Sequence, residues 1–149
     1  MKKKRMIINA TDPVLEVYRV SDNYLKECAK NKHPTDNNLI SYLDQSEYFM
    51  ILLDTNYDIF EKTKIDDFRT MRSDGKWIWS ADLNFYTLNY GFKWPDDFIR
   101  HVKKEGKCVV SDKKLKRLIK KCAPTVFFLQ SNIKVENYDA VAFKELGVL

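Results

Sequence analysis

The sequence predicts an α+β fold: one domain over residues 1–149, with a small antiparallel sheet of three to five strands packed against four or five helices. Three observations predict it. Asp74-Gly75 separates two strand-like runs, and Gly supplies the positive φ that a tight hairpin turn needs. Residues 47–54 hold six consecutive apolar residues between polar ends, the pattern of a buried central strand. Apolar residues at helical spacing recur in segments that carry their own start and stop signals.

Taken in order, residues 1–5 are a basic, flexible start, and Met6-Ile7-Ile8 can form a strand. Thr11-Asp12-Pro13 resembles a helix start. The residues after it fit either a helix to Val20 or a strand through Val14 to Tyr18, because β-branched residues pull toward the strand. Ser21-Asp22 can cap a helix with Tyr24, Leu25 and Cys28 on one side. His33-Pro34 breaks it, since the residue before Pro avoids the α region. Thr35 can cap a short helix carrying Leu39, Ile40 and Leu43. After the apolar strand, Tyr57-Asp58-Ile59-Phe60 reads as its partner strand, and residues 65–71 lead into the Asp-Gly turn.

Residues 68–102 anchor the chain, and all three tryptophans lie there. Trp77 and Trp79 share one strand face and Ile78 takes the other. Ser80 can cap a helix whose Leu83, Tyr86 and Tyr90 form a stripe, with Gly91 as its stop. Pro95 opens a second helix with Asp96 and Asp97 in its first turn and Phe98, Ile99 and Val102 on its apolar face. Gly106 ends it. Cys108-Val109-Val110 reads as extended. Ser111 caps a helix with Leu115, Leu118, Ile119 and Cys122 at i, i+3, i+4 and i+7, and Pro124 stops it. Residues 126–129 read as a buried strand or docked segment. The apolar positions Val141, Phe143, Leu146, Val148 and Leu149 are expected to pack down.

Within this region, residues 73–86 (Ser-Asp-Gly-Lys-Trp-Ile-Trp-Ser-Ala-Asp-Leu-Asn-Phe-Tyr) and 94–102 (Trp-Pro-Asp-Asp-Phe-Ile-Arg-His-Val) resemble a recurring bacterial pattern. In it an Asp-Gly turn and paired tryptophans precede an Asp-Leu-x-x-Tyr helix and a Pro-x-x-Phe helix. The pattern is that of small bacterial proteins, some similar to immunity proteins of polymorphic toxin systems. The resemblance spans residues 73–102, about a fifth of the chain. It implies a bacterial origin and a binding role with another protein, such as a toxin, as partner. It supplies no catalytic residue.

Composition narrows the function further. Apolar content of 44% with 13% aromatics suffices for one core and excludes a wholly disordered chain. The three cysteines, Cys28, Cys108 and Cys122, are far apart, which argues for free thiols in a reducing cytoplasm and against a disulfide scaffold or zinc knuckle. No segment is apolar over the ~18 residues of a membrane span, and the apolar run after residue 5 is too short for a signal peptide. The predicted location is cytoplasmic.

No catalytic, cofactor-binding or metal-ligating set emerges. Neither His33 nor His101 has a ligand partner at metal spacing. A loop role is predicted for His33, and a capping or surface role for His101. Four glycines leave no phosphate-binding loop. Asp96-Asp97 and Asp82 suit helix starts, Asp74 suits its turn, and Asp66-Asp67 reads as a solvated pair. A non-enzymatic protein-binding module is therefore predicted, with the exposed members of Tyr57, Tyr86, Tyr90 and Trp94 as anchors.

Charge supplies the alternative. The net charge is +5, yet residues 103–121 hold nine Lys or Arg against two acids, and residues 2–5 are all basic, so the remainder is acidic. Lys113, Lys114, Lys116, Arg117, Lys120 and Lys121 could bind nucleic acid or another anion, or could be the wet side of an amphipathic helix.

Overall fold

The computed structural model describes residues 5–11, 15–31, 33–34, 36–51, 56–65, 70–130 and 141–145. Strands β1 (Arg5–Asn9) and β2 (Leu15–Val20) pair antiparallel, and helices α1 (Asp22–Asn31) and α2 (Asn37–Asp44) follow. Next come β3 (Glu47–Ile51), the short strands β4 (Asn56–Tyr57) and β5 (Lys64–Ile65), β6 (Thr70–Ser73) and β7 (Trp77–Ser80). Helices α3 (Asp82–Tyr90), α4 (Asp96–Glu105) and α5 (Asp112–Gln130) precede a final strand, β8 (Val141–Glu145).

The main sheet runs β3-β6-β7-β1-β2-β8. Its first five strands in that order are antiparallel, and β8 joins β2 in parallel. Among the described residues, five antiparallel strands and five helices make the α+β architecture that the sequence predicts; β4 and β5 form a separate ribbon.

The period of two divides the core. Ile7, Tyr18, Val20, Trp77 and Trp79 face the layer of α1 to α4, where they meet Leu25, Leu43, Leu83, Tyr86 and Phe98. Met6, Ile8, Val17, Met71 and Ile78 face α5 and its Leu118, Cys122, Val126 and Leu129. Trp79 is fully enclosed, edge-on to Trp94 at 5.8 Å and to Phe98 at 5.5 Å. One such indole removes roughly 150–250 Å² from water, an upper-bound gain of about 4–6 kcal/mol. The tryptophans of the hairpin are thus structural.

Local chemistry sets the ends of the elements. The Ser21 hydroxyl accepts from the Tyr24 amide at 3.1 Å, as its cap role requires. Gly91 closes α3 in the left-handed region at φ 65°, and a Cβ there would meet the His33 carbonyl oxygen at 2.6 Å. Pro95 immediately precedes α4, and Gly106 follows it at φ 74°.

Several expectations are corrected. Of the two alternatives left open before Val20, the strand is the one formed, as β2, and the helix is not. Among the described residues the apolar run at 47–51 is an edge strand, not a central one; Tyr48 is 48% exposed and the register shifts between Tyr48 and Met50. The middle of the sheet goes to β7, buried throughout, and to β1, buried at Met6, Ile7 and Ile8. Tyr57 to Phe60 do not pair with β3: Asn56 and Tyr57 pair with Ile65 and Lys64, and Asp58 to Thr63 close the turn between them. Asp36 caps α2, accepting from the Asn38 amide at 2.9 Å; Thr35, the cap the sequence suggests, lies outside the described residues.

Ser80 caps nothing. It is the last residue of β7, and its hydroxyl accepts from the Met6 amide at 3.0 Å across the sheet. Pro124 does not stop α5, and residues 126–129 are its last turns rather than a strand. Pro124 and Lys120 both lie on the exposed side, where the Lys120 carbonyl that loses a helical donor can meet water, while Val126 and Leu129 anchor the helix end in the core. Arg5 is no part of a flexible start: it belongs to β1, and its guanidinium holds Asp82 at 2.7 Å and Asp22 at 2.6 Å. Residues 1–4, 12–14, 52–55, 66–69 and 146–149, on which further expectations fall, lie outside the described part.

Candidate functional site

The helical layer brings aromatic side chains to the surface where the β4–β5 ribbon meets α3. The ribbon turn is tied by Asp58, itself buried: its amide donates to the Thr63 carbonyl at 2.8 Å, and its carboxylate accepts from the Phe60 amide at 2.9 Å. The same carboxylate accepts the Tyr90 hydroxyl at 2.6 Å, and this bond pushes the Tyr90 phenol up to about 12. Phe60 lies 4.3 Å from Tyr90, and Phe85 lies 6.1 Å from it on the other side, ring centre to ring centre. These three rings are half-buried, while Tyr57 is 57% and Leu88 62% exposed.

Of the four predicted anchors, the structure leaves Tyr57 and Tyr90 available and removes Tyr86 and Trp94. The Tyr86 side chain lies in the core, and its hydroxyl accepts from the Ile59 amide at 3.1 Å and from Arg5 at 3.4 Å. Trp94 stacks on Phe98 at 4.5 Å and donates its indole N–H to the Thr87 hydroxyl at 2.8 Å. Both fall on the inward side because the stripe through Leu83 and Tyr86, and the turn at Gly91, aim them there. Phe60, Phe85 and Leu88 were missed by sequence reasoning. Phe85 and Leu88 stand three apart on α3, away from Leu83 and Tyr86, and that spacing was the readable signal.

A groove of about 640 Å³ opens between α1 and the α3–α4 connection. Tyr18, Tyr24 and Trp94 form its apolar wall, and Glu27, Asp96 and Asp97 its acidic rim. A smaller depression of about 250 Å³ adjoins it and shares His33, Lys93, Trp94 and Asp96. Much of the rim is internally engaged. The Tyr18 hydroxyl donates to Asp97 at 3.1 Å, Arg100 also pairs with Asp97, and the Tyr24 hydroxyl donates to the Lys93 carbonyl at 2.6 Å.

His101 is neither a cap nor a surface residue. Its Nε2 meets the Asp74 carboxylate at 2.6 Å, and the Tyr42 hydroxyl donates to the same carboxylate oxygen. The other oxygen accepts from the amides of Trp77 at 2.7 Å and Lys76 at 2.9 Å. Burial pushes the Asp74 carboxyl up, but the bonds from His101, Tyr42 and the two amides outweigh it and hold it below the usual carboxylate range. A carboxylate behind an imidazole is the orienting half of a proton-transfer dyad. Around this one stand the rings of Tyr42, Trp77 and Phe98. The neighbouring Cys108 thiol is pushed up to about 12 by burial, so it is no thiolate nucleophile at neutral pH. The cluster fastens α2, the hairpin turn and α4 together.

No protein-family model, curated protein or solved structure matches this chain.

Among the described residues, no three His, Cys, Asp or Glu side chains are grouped to hold a metal ion, and no helix is long and apolar enough to cross a membrane. On the opposite side of the sheet, Lys113, Lys114, Lys116, Arg117, Lys120 and Lys121 are all exposed on α5.

Proposed function

We propose that this chain is a non-enzymatic protein-recognition module that works in the bacterial cytoplasm in the manner of an immunity protein, with a toxin protein as its partner. The observation that carries this reading is the aromatic patch of Tyr57, Phe60, Phe85, Leu88 and Tyr90. Large side chains are costly to leave exposed, and the rings of Phe60, Phe85 and Tyr90 are packed on one another, with the Tyr90 hydroxyl held by Asp58, while Tyr57 and Leu88 stand exposed. Rigid aromatics lose little entropy on binding and dominate interface hot spots. The resemblance of residues 73–102 to immunity-type proteins points the same way.

The test is affinity capture from the native host with the tagged parent and a Tyr57→Ser/Leu88→Asp variant. Both positions are exposed, so the variant keeps the fold. The parent is expected to recover one stoichiometric protein, and the variant to bind it at least tenfold more weakly. Recovery of no such protein, or equal binding by the variant, would overturn the reading.

A further inference from the structure

We infer that the wet face of α5 is a second binding surface, separate from the aromatic patch, and that it takes the phosphate backbone of duplex DNA without reading its sequence. The six cations Lys113, Lys114, Lys116, Arg117, Lys120 and Lys121 fall within an arc of about 160° and a length of about 12 Å at helical geometry. All six are exposed, and none has an ion-pair partner among the described residues. The acid of this helix, Asp112, lies at its start and off that arc. The apolar side of α5 is committed to the sheet through Leu118, Cys122, Val126 and Leu129, so the helix is held as a ridge with its charges outward.

The occupant follows from this chemistry. Duplex DNA carries about one charge per 1.7 Å of axis, and a single-signed cationic ridge releases its condensed counterions. Lysine in five of six places supplies point charges for phosphates rather than the paired donors that read bases. A protein partner fits less well, because lysine is depleted at the centre of protein interfaces. An anionic bilayer fits less well too: the apolar side that would have to insert is already buried. Arg5, which adjoins the basic start of the sequence, cannot contribute, since Asp22 and Asp82 hold it.

The experiment is fluorescence anisotropy of the full chain with a labelled random-sequence 20-base-pair duplex between 50 and 200 mM salt. Four to six neutralised phosphates predict a log–log slope of about −4 to −5, hence an affinity loss of several hundredfold across that range. The Lys113→Gln/Lys116→Gln/Lys120→Gln variant should flatten the slope by about 3 while its circular dichroism stays that of the parent. A shallow slope, a variant that binds like the parent, or equal binding of polyglutamate or of phosphatidylserine vesicles would each overturn the inference. A Tyr57→Ser/Leu88→Asp variant should bind the duplex unchanged, which separates this surface from the proposed protein site.

Discussion

Replacing Asp74 with alanine tests the cluster that joins the hairpin to the helices. The Asp74 side chain is 1% exposed and accepts from four donors: the amides of Lys76 and Trp77, the Tyr42 hydroxyl and His101. Each buried donor left without a partner costs about 1–3 kcal/mol. The four share one carboxylate and relax together, so their costs do not add, and the expected loss is about 3–5 kcal/mol. Asp74→Asn keeps an oxygen for the two amides and exchanges charge-assisted bonds for neutral ones, a loss of about 1–2 kcal/mol. Urea unfolding at pH 7, followed by tryptophan fluorescence, measures both. The pH dependence has a fixed sign. Asp74 is held below its unfolded value of about 3.9, so its stabilisation is present above that pH and fades as pH falls through the lower folded value. The parent's advantage over Asp74→Asn should therefore shrink below about pH 4. An alanine variant within 1 kcal/mol of the parent, or an asparagine variant as damaged as the alanine one, would refute the reasoning.

Two further outcomes follow from the packing. Gly91→Ala places a methyl against the His33 carbonyl in a left-handed residue, and should cost at least about 2 kcal/mol, seen as a melting point lower by about 4 °C or more. Cys28, Cys108 and Cys122 are all buried and free, and burial pushes the thiols of Cys108 and Cys122 up. A thiol reagent should titrate none of the three promptly in the native protein and all of them in urea; fast labelling of any one without denaturant would contradict this burial.

What could be read from the sequence was local. The Asp-Gly turn, the left-handed stop at Gly91, the Pro95 start and the Ser21 cap each depend on one or two neighbouring residues, and each stands where the sequence put it. What could not be read was decided at a distance. The run at 47–51 is apolar enough for the middle of a sheet, but its position at the edge depends on which strands pair with β1. Pro124 has a strong local veto, and the burial of Val126 and Leu129 overrides it. Tyr86 and Trp94 carry the chemistry of interface anchors, yet only the tertiary fold reveals that they point inward. The joining of Tyr42, Asp74 and His101 spans two helices and a turn, so no spacing encodes it. One hint was available: His101 stands three residues after Phe98, on the buried side of α4.

The order of the strands also governs how the chain can assemble. The β1–β2 and β6–β7 pairs are hairpins that close within a few residues, but β1 gains its second neighbour only when Ile7 finds Trp79, and β2 only when Leu15 finds Val141. Pairings of that reach delay folding, because loop closure is completed before the contacts repay it. A nascent chain on the ribosome therefore carries a raw edge along β2 while the intervening residues are made. That edge is open to the strands of other chains until the segment at 141–145 emerges to cover it.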